Sequence, residues 1–371
     1  MGKENQQQSS DMVVRDERLD LVKAISISLV LIWHLKPIRI ISGETPHTFI
    51  KITSFILDQL YLSLTLVAVP LFILTSLFIL FKKLQSLGYQ YLLRRCKHLL
   101  KVFIFWSLFQ FSIYYLISLL QSIISNTLFS WYIPNFPVYR LLIEGGPPLP
   151  LVGGSVFYFL FILIVLTILA YVFHLFIGKK KSKFKNHICV AIIIMQAVYF
   201  EALNLTGRGL SYLQLENFLI YIPIAYLQIQ KERSISSRYS LFLYIGFFVF
   251  GLQDIFLRQI GYNPGVYSRV SIIFGALAVF SSCLNLEYWK ASDSVNFLSR
   301  YSLGIFAIHK YWQFLAIFTI VKLSETTDWL KNINNISIIN VLAIFVALVT
   351  ISLTFGSVRL LSSSPFQRFI K

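Results

Sequence analysis

The chain has 371 residues, 56% hydrophobic and 13% charged, with 33 Lys and Arg against 16 Asp and Glu. Its mean hydropathy is +0.70, whereas soluble domains are roughly 45–50% apolar and about 25% charged, which excludes a soluble globular enzyme, a disordered chain and a disulfide-rich secreted domain. The +17 balance is spread as short clusters between apolar runs, so it argues for membrane topology and against nucleic-acid binding.

Residues 1–20 are polar and close on Arg15-Asp16-Glu17-Arg18-Leu19-Asp20. An apolar run follows at once with no small-residue cleavage site, so it is expected to stay as a signal anchor behind a cytoplasmic N-terminal tail. The apolar runs predict an all-α polytopic membrane protein, about ten transmembrane helices in one bundle over residues 21–358. They are expected at 21–41, 56–81, 99–124, 154–178, 187–204, 213–230, 239–258, 266–286, 301–322 and 336–358. Residues 359–371 are expected as a cytoplasmic C-terminal tail. Pro37, Pro70 and Pro223 fall in or near these helices, where packed neighbours can satisfy the freed carbonyls. With the N-terminus inside, 23 of the 33 Lys and Arg fall on the inner side, which puts both termini in the cytoplasm. The three cysteines, Cys96, Cys189 and Cys283, form no CxxC pair and give neither a disulfide nor a zinc pattern.

In the first helix His34 lies eleven residues after Lys23. Eleven residues are about three helical turns, so the two side chains share a face roughly 16 Å apart along the axis. Asp16, Asp20 and Val30 fall close to that stripe. An ionisable residue inside a membrane helix is costly and is a functional candidate; His34 suits either catalysis or a hydrogen bond to a neighbouring helix. Arg94-Arg95-Cys96-Lys97-His98 with Lys101 stands at the start of the third helix. Cations there can bind phosphates or serve only to anchor topology. The loop at 125–153, with Trp131, Pro134, Pro137 and Glu144-Gly145-Gly146-Pro147-Pro148, suits a cap over a cleft or an ordinary interfacial loop. The run at 179–185 is a solvated topology signal. Near the end, Ser302-Leu303-Gly304-Ile305-Phe306-Ala307-Ile308-His309-Lys310 carries the second intramembrane histidine, for chemistry or for packing, with Gly304 permitting close approach. Glu201, Glu216 and Asp254 are the acids available to orient an imidazole, and the sequence does not choose among them.

Taken in order, these segments resemble the acyltransferase-3 family. Arg18-Leu19-Asp20-Leu21-Val22-Lys23-Ala24-Ile25 is similar to its opening R-x-D-x-L-R-A segment, with Lys23 at the Arg that precedes the helix-one His, here His34. Val69-Pro70-Leu71-Phe72-Ile73-Leu74-Thr75-Ser76-Leu77-Phe78 is similar to V-P-x-F-F-x-x-S-G-F, with Leu77 for Gly. Tyr91 to Lys101 is similar to a basic R-R-x-x-R segment, with His98 at the last Arg. Gly154 to Phe161 resembles a W-F-x-x-x-L helix start without its Trp. Ser302 to His309 is similar to S-L-G-I-Y-L-I-H, with Phe306 for Tyr.

The resemblance implies a ten-helix enzyme of the bacterial plasma membrane. It would move an acyl group, usually acetyl, from acyl-CoA to a hydroxyl of a carbohydrate or lipid-linked glycan of the envelope, with no metal. On that reading His34, Lys23 and Asp20 are the catalytic group, Arg94, Arg95, Lys97 and His98 hold the acyl-CoA phosphates, and Ser302 and His309 belong to the same site. A polysaccharide or lipid-linked-sugar exporter without chemistry is the alternative that the helix count and the histidines leave open.

Overall fold

The computed structural model describes residues 16–35, 61–125, 158–178, 182–231, 237–326 and 336–371. The expected cap from 126 to 153, the lysines at 179–181 and the loop ends of the helices expected at 21–41 and 56–81 lie outside the described residues. Among those described, every regular element is helical and no strand occurs. The elements are α1 (Glu17–Leu35), α2 (Ala68–Ser125), α3 (Tyr158–Gly178), α4 (Ser182–Leu205), α5 (Glu216–Leu219), α6 (Tyr221–Lys231), α7 (Ser237–Gln259), α8 (Val270–Leu284), α9 (Asp293–Arg300), α10 (Ser302–Thr326), α11 (Ile336–Ser362) and a 3-10 turn at Pro365–Phe369. Among the described residues five helical stretches are long and apolar enough to cross a bilayer, and α8 is a shorter apolar helix. Their outer faces expose Ile194, Val198, Ile245, Phe248 and Leu348, a surface for lipid rather than water.

Two expectations need correction. The stretch 82–98, read as a connection between the second and third helices, is helical: α2 runs through it for 58 residues, broken only at Gly88 (φ 57, ψ −147). The physical reason is local propensity. Between Phe81 and Lys101 stand Lys, Leu, Gln and Arg, all good helix formers, with no proline. Gly88 alone takes the left-handed backbone angle that a side chain would resist. An uninterrupted helix of this length would span roughly 87 Å, far beyond a hydrocarbon core of about 30 Å, so the basic elbow around Gly88 separates two membrane-length arms. The second correction is α9, which the expected helices lack. It is eight residues long and polar on one side, too short for an apolar-run search, and is started by Ser292, whose hydroxyl accepts from the Val295 N–H at 3.4 Å. The helix expected at 213–230 is divided into α5 and α6, and Pro223 sits in the first turn of α6, where its missing N–H costs no bond.

α1 occupies the centre and packs against α2, α8, α9, α10 and α11. Val22 and Ile27 are wholly buried, and the buried Ser26 hydroxyl is satisfied inside the helix by the Val22 carbonyl at 2.8 Å. The start of α1 is tied down by Arg18, which donates to both Asp16 oxygens at 3.0 Å and to the Leu284 carbonyl at 2.9 Å, closing the C-terminal end of α8. Burial pushes the Asp16 carboxyl up, but hydrogen bonding to Arg18 and the charges of Arg18 and Lys82 outweigh it and hold the group below its ordinary value. Before α8, the fully buried Arg269 lies 3.7 Å from Asp254 and donates to the Ser63 hydroxyl and the Val266 carbonyl, each at 3.3 Å. Removing one member of such a pair strands a buried charge and costs roughly 3–5 kcal/mol.

Candidate active site

The face of α1 that carries Asp20, Lys23 and His34 opens onto two separate cavities. Asp20 and Lys23 line one, about 470 Å³, at the N-terminal end of the helix. His34, with Val30 and Trp33, lines the other, about 250 Å³, near its C-terminal end. Among the described residues Phe306 is the one side chain that lines both. It is buried and lies against Phe159, ring centroids 5.7 Å apart.

The larger cavity collects cations. Lys23 comes from α1, Arg95 from the second arm of α2, Arg300 from the end of α9, and Lys371 from the segment after the 3-10 turn, and the His98 imidazole lines the cavity beside Arg95. On the second arm of α2 the lining residues are Arg95, His98, Leu99 and Val102, the i, i+3, i+4, i+7 stripe of one helical face. Arg94 and Lys97 occupy the other face and are exposed; neither lines the cavity. Arg95 is fixed by Ser76 of the first arm, donating to its carbonyl at 3.0 Å and also to its hydroxyl, and reaches the Tyr91 hydroxyl at 3.4 Å. Two of the segments quoted above, around Ser76 and around Arg95, thus form one wall. Among the described residues Asp20 is the one acidic side chain lining this cavity; it is buried and accepts from the Ser299 hydroxyl at 2.5 Å. Ser302 lines the same space.

The smaller cavity is aromatic. Tyr158, Tyr212 and Tyr267 line it with Trp33 and Phe306. The Tyr158 hydroxyl donates to that of Tyr267 at 3.2 Å, and the Tyr158 and Tyr212 rings meet edge to face at 5.5 Å. Here His34 and His309 meet: their ring centroids are 5.0 Å apart. His309 is fully buried behind His34. Its Nδ1 lies 3.1 Å from the Ile305 carbonyl, which can only accept, so Nδ1 carries the proton and Nε2 presents a lone pair. That Nε2 has no hydrogen-bond partner among the described residues. Gln313 donates to the His34 carbonyl at 2.6 Å and accepts from Lys310 at 3.1 Å, which places Lys310 in the same cavity.

Of the acids considered for orienting an imidazole, Asp254 is engaged by Arg269 and Ser271, and Glu201 by Gln253. Against His34 stands His309. The three tyrosines, Gln313, Arg300 and Lys371 were not singled out as site residues from the sequence, whereas Lys310 was noted beside His309. A helical reading of 91–102 would have separated Arg95 and His98 from Arg94 and Lys97. No local signal marks the tyrosines, which come from two loops and a helix start.

The comparison with known families decides the class. The acyltransferase-3 family model, an acyltransferase domain, matches residues 16–357. The chain belongs to that family. It is a multi-pass membrane acyltransferase. No curated protein and no solved structure matches it. The matched region contains every helix that lines the two cavities of the acyltransferase, and each cavity draws part of its lining from the segments that carried the resemblance.

Proposed function

We propose that the protein is an O-acyltransferase of the bacterial plasma membrane, with about ten spans and both termini cytoplasmic. On this reading it moves an acyl group, acetyl in the simplest case, from acyl-CoA to a hydroxyl of a cell-surface carbohydrate or lipid-linked glycan. The observation that carries the reading is the pair of cavities meeting at Phe306, cationic on one side and holding a histidine among aromatic rings on the other. A phosphate-bearing thioester suits the first. A sugar, with its hydroxyls and apolar ring faces, suits the second.

In this arrangement Lys23 and Arg95 hold the donor, with the thioester directed between Phe159 and Phe306. Arg94 and Lys97 add positive potential at the rim, and the His98 imidazole offers the phosphates a hydrogen bond. Asp20, which accepts from Ser299, sets the position of the α9 end of the wall, and Ser302 lies beside it. The His34 imidazole takes the proton of the acceptor hydroxyl as its oxygen attacks the thioester carbonyl. The carbon–oxygen bond forms, the carbon–sulfur bond breaks, and the proton passes to the departing sulfur, giving free CoA. His309 backs the His34 ring, and the Lys310 ammonium stands where negative charge develops on the carbonyl oxygen.

Single-turnover transfer of labelled acetyl from acetyl-CoA to a glycan acceptor, with the purified protein in nanodiscs, tests the reading. Label in the acceptor is the expected result. Movement of an unmodified glycan across the bilayer with no transfer from any thioester would replace it with the exporter.

A further inference from the structure

The last residues of the chain are part of the larger cavity. After α11 the backbone turns through Pro365–Phe369 and lies across the start of α10. Three contacts hold it there. The Gly304 N–H, one of the first-turn amides that a helix cannot satisfy itself, donates to the Ile370 carbonyl at 3.1 Å. The indole N–H of the buried Trp106 donates to the Phe369 carbonyl at 2.9 Å. The Phe105 and Phe369 rings stack with centroids 4.2 Å apart and planes 7° from parallel. Ile370 is fully buried, and a Cβ at position 304 would stand 2.8 Å from the Ile370 Cβ. Gly304 is therefore the residue type that lets this segment seat. Seated, it brings Lys371 to the cavity wall, where Arg300 arrives from α9.

The cations of the cavity are graded by depth. Lys23 and Arg95 are half-buried, while Arg300 and Lys371 are exposed. The same lining carries an apolar group, Phe72, Phe159 and Leu163. A ligand that matches this order carries a spread of phosphates at one end and a thin, uncharged arm at the other. We infer that Arg300 and Lys371, the latter delivered by the docked 363–371 segment, form the mouth of the donor site and bind the phosphates at the nucleotide end of acyl-CoA. This inference rests on the proposed donor and extends it to two residues and a segment outside the sequence segments that pointed to the family.

The test compares two donors. Acetyl-CoA carries the nucleotide phosphates; acetyl-pantetheine has the same thioester and arm without them. Lys371→Gln and Arg300→Gln alter exposed side chains and leave the packing of the fold intact. Each should raise the KM for acetyl-CoA about five- to tenfold, less at high salt, with kcat held and the KM for acetyl-pantetheine unmoved. Gly304→Ala, which crowds Ile370 without changing any charge, should copy the Lys371→Gln pattern. Unchanged KM for acetyl-CoA in both Gln variants would overturn the inference while leaving the donor intact. A rise shared by acetyl-pantetheine would overturn it as well, because the loss would then be structural. A wild-type protein that takes acetyl from neither thioester would remove the donor reading itself, and the mouth with it.

Discussion

The two cavities share α1 and Phe306 yet are built by different means. The cationic one is lined mainly by helices, α1, α2, α3, α9 and α10, whose positions are set by packing, and its Arg95 comes from a stretch of chain that is basic in the sequence. The aromatic one is closed by connections. Tyr212 and Tyr267 sit in the loops before α5 and before α8, and a buried Asn204 at the end of α4 clamps the second loop, its amide donating to the Ser268 carbonyl at 2.8 Å and its carbonyl accepting from the Gly265 N–H at 3.1 Å. A helix face tolerates exchange at single positions as long as its stripe survives. A wall of loops depends on particular side-chain hydrogen bonds. The histidine pair, His34 and His309, stands on the helical elements, α1 and α10, that both cavities share.

The strongest way to break this division of labour is at the histidine. His34→Ala should lower kcat for acetyl transfer by about 10²- to 10⁴-fold, the usual range for a general base, while calorimetry with CoA shows donor affinity unchanged. His309→Ala should cost less, because His309 is buried behind His34 and acts through it; the His309→Gln variant, which keeps a hydrogen-bonding group, should recover part of the loss. Equal losses in both alanine variants would make the pair a single unit rather than a base with a support. Near-normal turnover in His34→Ala would take the reaction away from the aromatic cavity altogether.

How far the sequence could reach follows the same line. The helical class, the membrane character and the family were legible, because apolar runs and ordered short segments survive in one dimension. The face of 91–102 was nearly so: once that stretch is read as helix, Arg95 and His98 separate from Arg94 and Lys97 by periodicity alone. What had no signature was long-range. His34 and His309 come together only because α1 and α10 pack side by side. Ser299 finds Asp20 through α9, an element too short to register. The 363–371 segment reads as a polar tail until Trp106 and Gly304 are placed against it.

The cationic cavity gives the next largest effect and a sharper contrast. Arg95→Ala removes a half-buried guanidinium fixed by Ser76, and a charge-assisted contact of this kind is worth roughly 1.5–3 kcal/mol. Its donor Kd should rise about ten- to a hundredfold, measured by calorimetry with CoA. Arg94→Ala and Lys97→Ala, on the opposite face, should move the same Kd by less than about threefold, since exposed charges are screened by salt. Comparable losses at positions 94 and 95 would mean that the helix presents a diffuse field rather than a face.

The smallest effect belongs to the aromatic cavity's loop wall. Asn204→Asp keeps an oxygen for the Gly265 N–H but removes the amide that serves the Ser268 carbonyl, leaving that carbonyl buried without its donor and adding a charge beside it. Asn204→Ala removes both partners. A buried group stranded in this way costs about 1–3 kcal/mol, so both variants should melt earlier in nanodiscs than the wild type. The kinetic signature separates this from general softening. Tyr267 is the residue next to Ser268 in the clamped loop, and its hydroxyl meets that of Tyr158. A loosened loop should therefore raise the acceptor KM a few-fold while the acetyl-CoA KM stays at its wild-type value. If the KM for both substrates rises together, the two walls are mechanically one, and the contrast between a helical donor side and a loop-built acceptor side fails.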